Sequence, residues 1–176
     1  IKPDFFEEFS LMPGKYFVAT LHRPANVDQQ EHFKKLITEI GRSAGDFPVI
    51  FPAHPRIANF LKAEINLPKY FYVVEPQPYL QFNWLVKNAF AVVTDSGVVT
   101  EETTVLGIPC FTLRDNTERP ETVSMGTNTL LGTNPNAIGP AFSDVFSGRW
   151  KKGKIPPMWD GKTANRIIGT LKNLLY

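Results

Sequence analysis

Short apolar runs, rich in β-branched and aromatic residues, alternate along this chain with longer stretches whose apolar positions recur every three to four residues. The short runs predict strands at Tyr16–Leu21, Pro48–Pro52, Phe71–Val74, Ala89–Thr94 and Ile108–Leu113, with a weaker one at Thr129–Leu131. The longer stretches predict helices at Asp28–Ala44, Arg56–Glu64, Tyr79–Lys87, Val98–Leu106 and Pro135–Phe146, and a last one from about Asp160 to Leu175. Strands alternating with helices indicate a parallel sheet covered on both faces. Local signals agree: Gly107 suits a left-handed helix end, Asp28 can cap the first long helix, and Gln77-Pro78 opens the third with proline early in its first turn. Ile155–Met158 reads as an extended connector. Ile167, Ile168, Leu171, Leu174 and Leu175 give the last helix an apolar face, expected to be exposed, mobile or packed against another copy.

The length, 176 residues, fits one domain spanning 1–176, and 43% hydrophobic with 20% charged residues describes a globular protein rather than a disordered one. A net charge of +2 gives no reason to expect nucleic acid as a partner. The short basic run from Arg149 to Lys154 reads as a solvated loop. Cys110, the single cysteine, lies inside an apolar run and is expected to be a buried structural thiol, as suits a reducing cytoplasm. No apolar stretch approaches the roughly 18 residues that a membrane span needs. The N-terminus shows no signal-peptide pattern and no initiator Met, which reads as a fragment or a processed product.

In open α/β sheets ligands bind beyond the carboxyl ends of the strands, so the strand exits are where chemistry is sought. The first exit carries His22 and Arg23, able to hold a diphosphate. The second carries His54 and Arg56 between prolines; the third carries Gln77, Tyr79 and Phe82, where an aromatic could stack on a base or simply pack in the core. The fourth runs Thr94-Asp95-Ser96-Gly97-Val98 straight into a helix holding Glu101 and Glu102. A free helix start with a serine hydroxyl is an anion site, Gly97 lets a phosphate approach the backbone, and a carboxylate one turn on can take both hydroxyls of a ribose. Plain capping by Ser96 would use the same groups. The fifth exit, Arg114 to Glu121, is dense in arginines and acids. No metal site is expected, because His22, His32 and His54 lack ligand spacing.

Taken together, His22–Asn26 (HRPAN), FPAHPR at 51–56, EPQPYLQF at 75–82, TDSGVVTEET at 94–103, the segment 106–132 with its RDNTERPE, and WDGKTANRI at 159–167 resemble the C-terminal domain of the UDP-N-acetylglucosamine 2-epimerase family. The likeness runs from Lys15 onward. It implies a Rossmann-like three-layer domain with a mostly parallel sheet, one half of the two-domain glycosyltransferase-B (GT-B) arrangement. It also implies elimination of UDP from UDP-N-acetylglucosamine and its re-addition to give the C2 epimer, without a redox cofactor, in cytoplasmic supply of nucleotide sugars for cell-envelope polysaccharide.

By matching positions, the resemblance makes His22 and Arg119 catalytic. Arg23, Gln77, Phe82, Ser96, Gly97, Val98, Glu102 and Arg119 would be UDP-binding, and His54 part of an effector site. Partners would be UDP and a UDP-N-acetylhexosamine, an N-terminal domain supplying the acids that handle the C2 proton, and a second copy of the full-length protein, with neither nucleic acid nor membrane. This sequence has Ala25 where the family has glutamate, and Val98 where it has a second glycine. The residues leave two other readings open: an epimerase for another UDP-2-acetamido sugar, and a non-catalytic UDP-sugar-binding module.

Overall fold

The computed structural model describes residues 1–175; Tyr176 lies outside them. Along the chain the elements are α1 (Phe5–Glu8), β1 (Phe17–Thr20), α2 (Pro24–Val27), α3 (Gln30–Ala44), β2 (Val49–Pro52), α4 (Pro55–Glu64), β3 (Phe71–Val74) and α5 (Tyr79–Lys87). There follow β4 (Ala91–Thr94), α6 (Gly97–Leu106), β5 (Cys110–Thr112), α7 (Pro120–Ser124), β6 (Asn128–Leu130), a 3₁₀ turn at Pro135–Ala137, α8 (Ile138–Phe146) and α9 (Thr163–Leu175). The six strands form one sheet in the order β3-β2-β1-β4-β5-β6, and every neighbouring pair is parallel.

Alternation along the strands builds two cores. Phe17, Ala19, Phe51, Val93 and Phe111 face one side, where α3 and α8 supply Phe33, Leu36, Ile37, Ile40 and Phe142. Val18, Ile50 and Val92 face the other, where α1, α5 and α6 supply Phe6, Leu85, Val86 and Val99. The result is three layers, with helices on both faces of the sheet. Phe6 is seated edge-on between Tyr16 and Trp84, which gives the four-residue α1 a structural role that its length hid from periodicity.

Three local expectations are corrected. Asp28 does not cap the first long helix: it ends the short α2, and Gln29 precedes α3 with no side-chain cap. Pro78 stands just before α5 rather than within its first turn. The basic run is not simply solvated, because Trp150 donates from Nε1 to Thr127 O at 2.8 Å and packs edge-on against Phe111. Cys110, by contrast, is fully buried, and burial pushes its thiol up to about 12. No residue of α9 is buried, and Leu174 and Leu175 are each about three-quarters exposed (76% and 75%), so its apolar face lies open within this chain.

Gly41 marks the tightest approach of α3 to its surroundings: a Cβ there would fall 2.3 Å from Cγ of Pro68. A proline ring cannot swing aside. Gly41→Ala is therefore expected to lower stability by about 1–3 kcal/mol, the scale of an overpacked core, read as a lower urea midpoint.

Candidate functional site

The order 3-2-1-4-5-6 reverses direction between β1 and β4, and a crevice opens beyond the carboxyl ends of those two strands. One buried side chain ties the exits together. Asp95, directly after β4, has no exposed surface. It accepts the backbone N–H groups of His22 at 3.0 Å and Arg23 at 2.9 Å, and Asn26 Nδ2 at 3.0 Å. His22 Nδ1 lies 2.9 Å from its other oxygen. Asn26, equally buried, also donates to Leu113 O at 3.0 Å, so the exits of β1, β4 and β5 meet in one knot. Beneath it Thr20 Oγ1 and Thr94 Oγ1 share a hydrogen bond of 2.9 Å across β1 and β4.

The knot sets the charge of its members. Burial alone would push the Asp95 carboxyl up, but the hydrogen bonds from His22, Asn26 and the Arg23 amide outweigh it and hold the acid below its ordinary value. The hydrogen bond to Asp95 raises the His22 imidazole, against partial burial and the nearby Arg23 and Arg114 cations. His22 nevertheless keeps 56% of its side chain exposed, and its Nε2 has no partner among the described residues.

Beside this knot α6 begins. Ser96 is its N-cap residue, yet its side chain makes no capping bond, so its hydroxyl remains available. The Ser96 amide is occupied by Thr94 Oγ1 at 3.0 Å, whereas the next amides belong to the helix start, whose N–H groups find no partner within the helix. Above Gly97 the space is open: a Cβ there would meet only Glu118 Oε2, at 3.6 Å. Val98, the next residue of α6, is 61% exposed.

Arg114 grips Glu118 with two hydrogen bonds of 2.9 and 2.7 Å, which lowers the Glu118 carboxyl to about 2. Arg119 is turned onto Glu101 in α6. Arg23 pairs with no carboxylate among the described residues. These are the groups of a site for a polyanion: a free helix start, a raised histidine and three arginines.

Farther along α6, Glu102 accepts from Asn83 Nδ2 of α5 at 3.3 Å and lines a cavity of about 350 Å³ with Tyr79, Leu106 and Trp159. Tyr79 is the open aromatic of this helix pair, at 68% exposure, while Phe82 is half-buried against the second core. Gln77 folds its side chain onto Glu75 O at 2.8 Å. His54 stands on the other side of His22, and the two share a cavity of about 610 Å³ with Arg56 and Phe60. His54 Nδ1 also accepts the Arg56 amide, at 3.4 Å, at the start of α4.

The structure thus gathers His22, Arg23, Ser96, Gly97 and Val98 at the point of strand reversal, with Arg119 alongside through Glu101. Gln77, Phe82 and Glu102 sit on the adjoining α5–α6 side, and His54 on the opposite one. Sequence reasoning passed over Asp95, Asn26, Arg114 and Glu118 as site residues. The available signal was position: Asn26 and Asp95 are polar residues in the two motif stretches that follow β1 and β4, where buried polar groups are expected to find partners.

The profile of the family described as UDP-N-acetylglucosamine 2-epimerase matches residues 2–172. The chain belongs to that family. Among its relatives is the UDP-N-acetylglucosamine 2-epimerase of Methanocaldococcus jannaschii, 42% identical over 166 residues, covering 89% of this chain and 44% of that protein. The crystal structure of the same enzyme in complex with UDP-GlcNAc and UDP superposes with a TM-score of 0.76 at 39% identity, over 98% of this chain and 49% of that one. A glycosyltransferase of kitacinnamycin matches with a TM-score of 0.54 at 16% identity, over 77% of this chain and 36% of that one, which speaks for the fold alone. The epimerase-family chain described here is thus a Rossmann-like half of a GT-B arrangement, and it spans less than half the length of the curated relatives it matches.

Proposed function

We propose that residues 1–176 are the UDP-holding unit of a UDP-N-acetylglucosamine 2-epimerase, one that interconverts UDP-GlcNAc and UDP-ManNAc in the cytoplasm. The observation that carries this reading is the knot at Asp95, which brings His22 and Arg23 beside the free start of α6. The diphosphate lies on the amides following Ser96, with Gly97 giving it room and Val98 turned away. Glu102 takes the ribose hydroxyls, and Gln77 and Phe82 flank the uracil. Arg23 and Arg119 meet the phosphates, the latter after leaving Glu101. His54 belongs to a neighbouring effector pocket.

In the reaction, a base removes the C2 proton, the C1–O bond breaks, and the electron pair closes the C1=C2 bond of a 2-acetamidoglycal as UDP leaves. Re-addition of UDP with a proton delivered to the opposite face of C2 gives the epimer. The departing UDP gains negative charge, and donors already aimed at it from α6, His22 and the arginines lower that barrier. The acids that move the C2 proton come from an N-terminal half, and the full-length protein works as a homodimer.

Two measurements test this. Calorimetry with UDP should show binding to this chain, and Glu102→Ala should weaken it by about 2 kcal/mol, the scale of a charged hydrogen bond; unchanged affinity would remove the ribose assignment. Incubated with UDP-GlcNAc and followed by NMR, the chain should show no epimer, and clear turnover would refute the need for a second half.

A further inference from the structure

We propose that Asp95 is a positioning residue for His22: it holds the proton on Nδ1 and aims the ring so that the imidazolium presents its Nε2–H to the crevice as the donor that meets the diphosphate. This rests on the reading of the α6 start as the phosphate site. Three observations carry it. Asp95 is fully buried and cannot turn toward a ligand, so its part is to hold other groups. Its carboxylate is aimed by two backbone amides and Asn26 Nδ2, which leaves one oxygen 2.9 Å from His22 Nδ1. The imidazole, in contrast, is more than half exposed, and its Nε2, opposite the ring atom that Asp95 holds, is unengaged among the described residues.

An acceptor fixed on Nδ1 decides which nitrogen keeps the proton when the ring is neutral, and it favours the imidazolium when the ring is charged. In the charged form Nε2 carries a proton pointing at the crevice. Arg23 and Arg114 oppose that form, and Asp28, His54 and Arg56 line the same cavity, but Asp95 is the carboxylate within hydrogen-bond distance of the ring and sustains it.

The test is long-range ¹H–¹⁵N NMR of the histidine rings in the intact chain, with His22 assigned by substitution. At high pH wild-type His22 should be the Nδ1–H tautomer, a result that needs no variant; finding Nε2–H would overturn the proposal. In Asp95→Asn, checked for folding by its amide spectrum, the His22 midpoint should fall and the tautomer preference should be lost. An unmoved midpoint would equally overturn it. Saturating UDP should raise the wild-type midpoint further. If tautomer and variant behave as expected but UDP leaves the midpoint in place, the positioning role stands and the placement of the diphosphate fails.

Discussion

Replacing Asp95 with alanine is expected to cost about 3–5 kcal/mol of folding stability, the scale of breaking a buried charged network by removing one partner. The substitution strands the amides of His22 and Arg23, both formerly bound at 3.0 Å or less, and takes one of two acceptors from Asn26 Nδ2. Asn26 can spare little, since its Oδ1 is buried without a partner. Urea denaturation followed by circular dichroism reads the loss, and a change under about 1 kcal/mol would show that the three strand exits are held by something else.

The pH dependence of that loss has a definite sign. Asp95 is held below its ordinary value in the fold, so its contribution is present above about 3.9 and fades as pH falls through the lowered native value. His22 is raised, so the pairing contribution is full below about 6.5 and fades as pH rises through the raised native value. The difference between wild type and Asp95→Ala is therefore largest between those limits, in the mildly acidic range.

How much of this was legible follows from the range of the interactions involved. Strand exits and the open start of α6 depend on neighbours within a few residues, and the apolar runs and Asp-Ser-Gly announce them. The open apolar stripe of α9 is also a matter of spacing within one helix. The knot is different, because Asp95 and its partners His22 and Asn26 lie about seventy residues apart and nothing near Asp95 names them. Trp150 failed for the same reason: within its own segment it is one aromatic among lysines, and only the return of the chain along β6 gives its indole an acceptor. Phe82 and Tyr79 lie three apart on one helix face, so spacing could not say which would be buried; the presence of the second core under Phe82 settles it.

Gly97→Val is expected to abolish measurable UDP binding while leaving the fold intact, and the separation of those two effects is what makes it informative. Gly97 is not required by backbone conformation, and a Cβ built on it is in ordinary contact with one flexible carboxylate, Glu118. Two further methyls would project into the open space over the first turn of α6, where β-branching costs a helix little. A phosphate that needs the amides of that turn within about 3 Å cannot share the space with an isopropyl group. Losing two charge-assisted hydrogen bonds, each contributing about 1.5–3 kcal/mol, amounts to roughly 3–6 kcal/mol, or about a hundredfold to ten-thousandfold in affinity. Gly97→Ala should fall between that variant and wild type, and thermal unfolding of both should stay within a few degrees of the parent. The neighbouring Val98, already a β-branched residue, is 61% exposed, and the same reading requires its methyls to point clear of the phosphate. Were Gly97→Val to bind UDP normally, the diphosphate would have to rest elsewhere, on the cluster of His22, His54 and Arg56 across the crevice rather than on the helix.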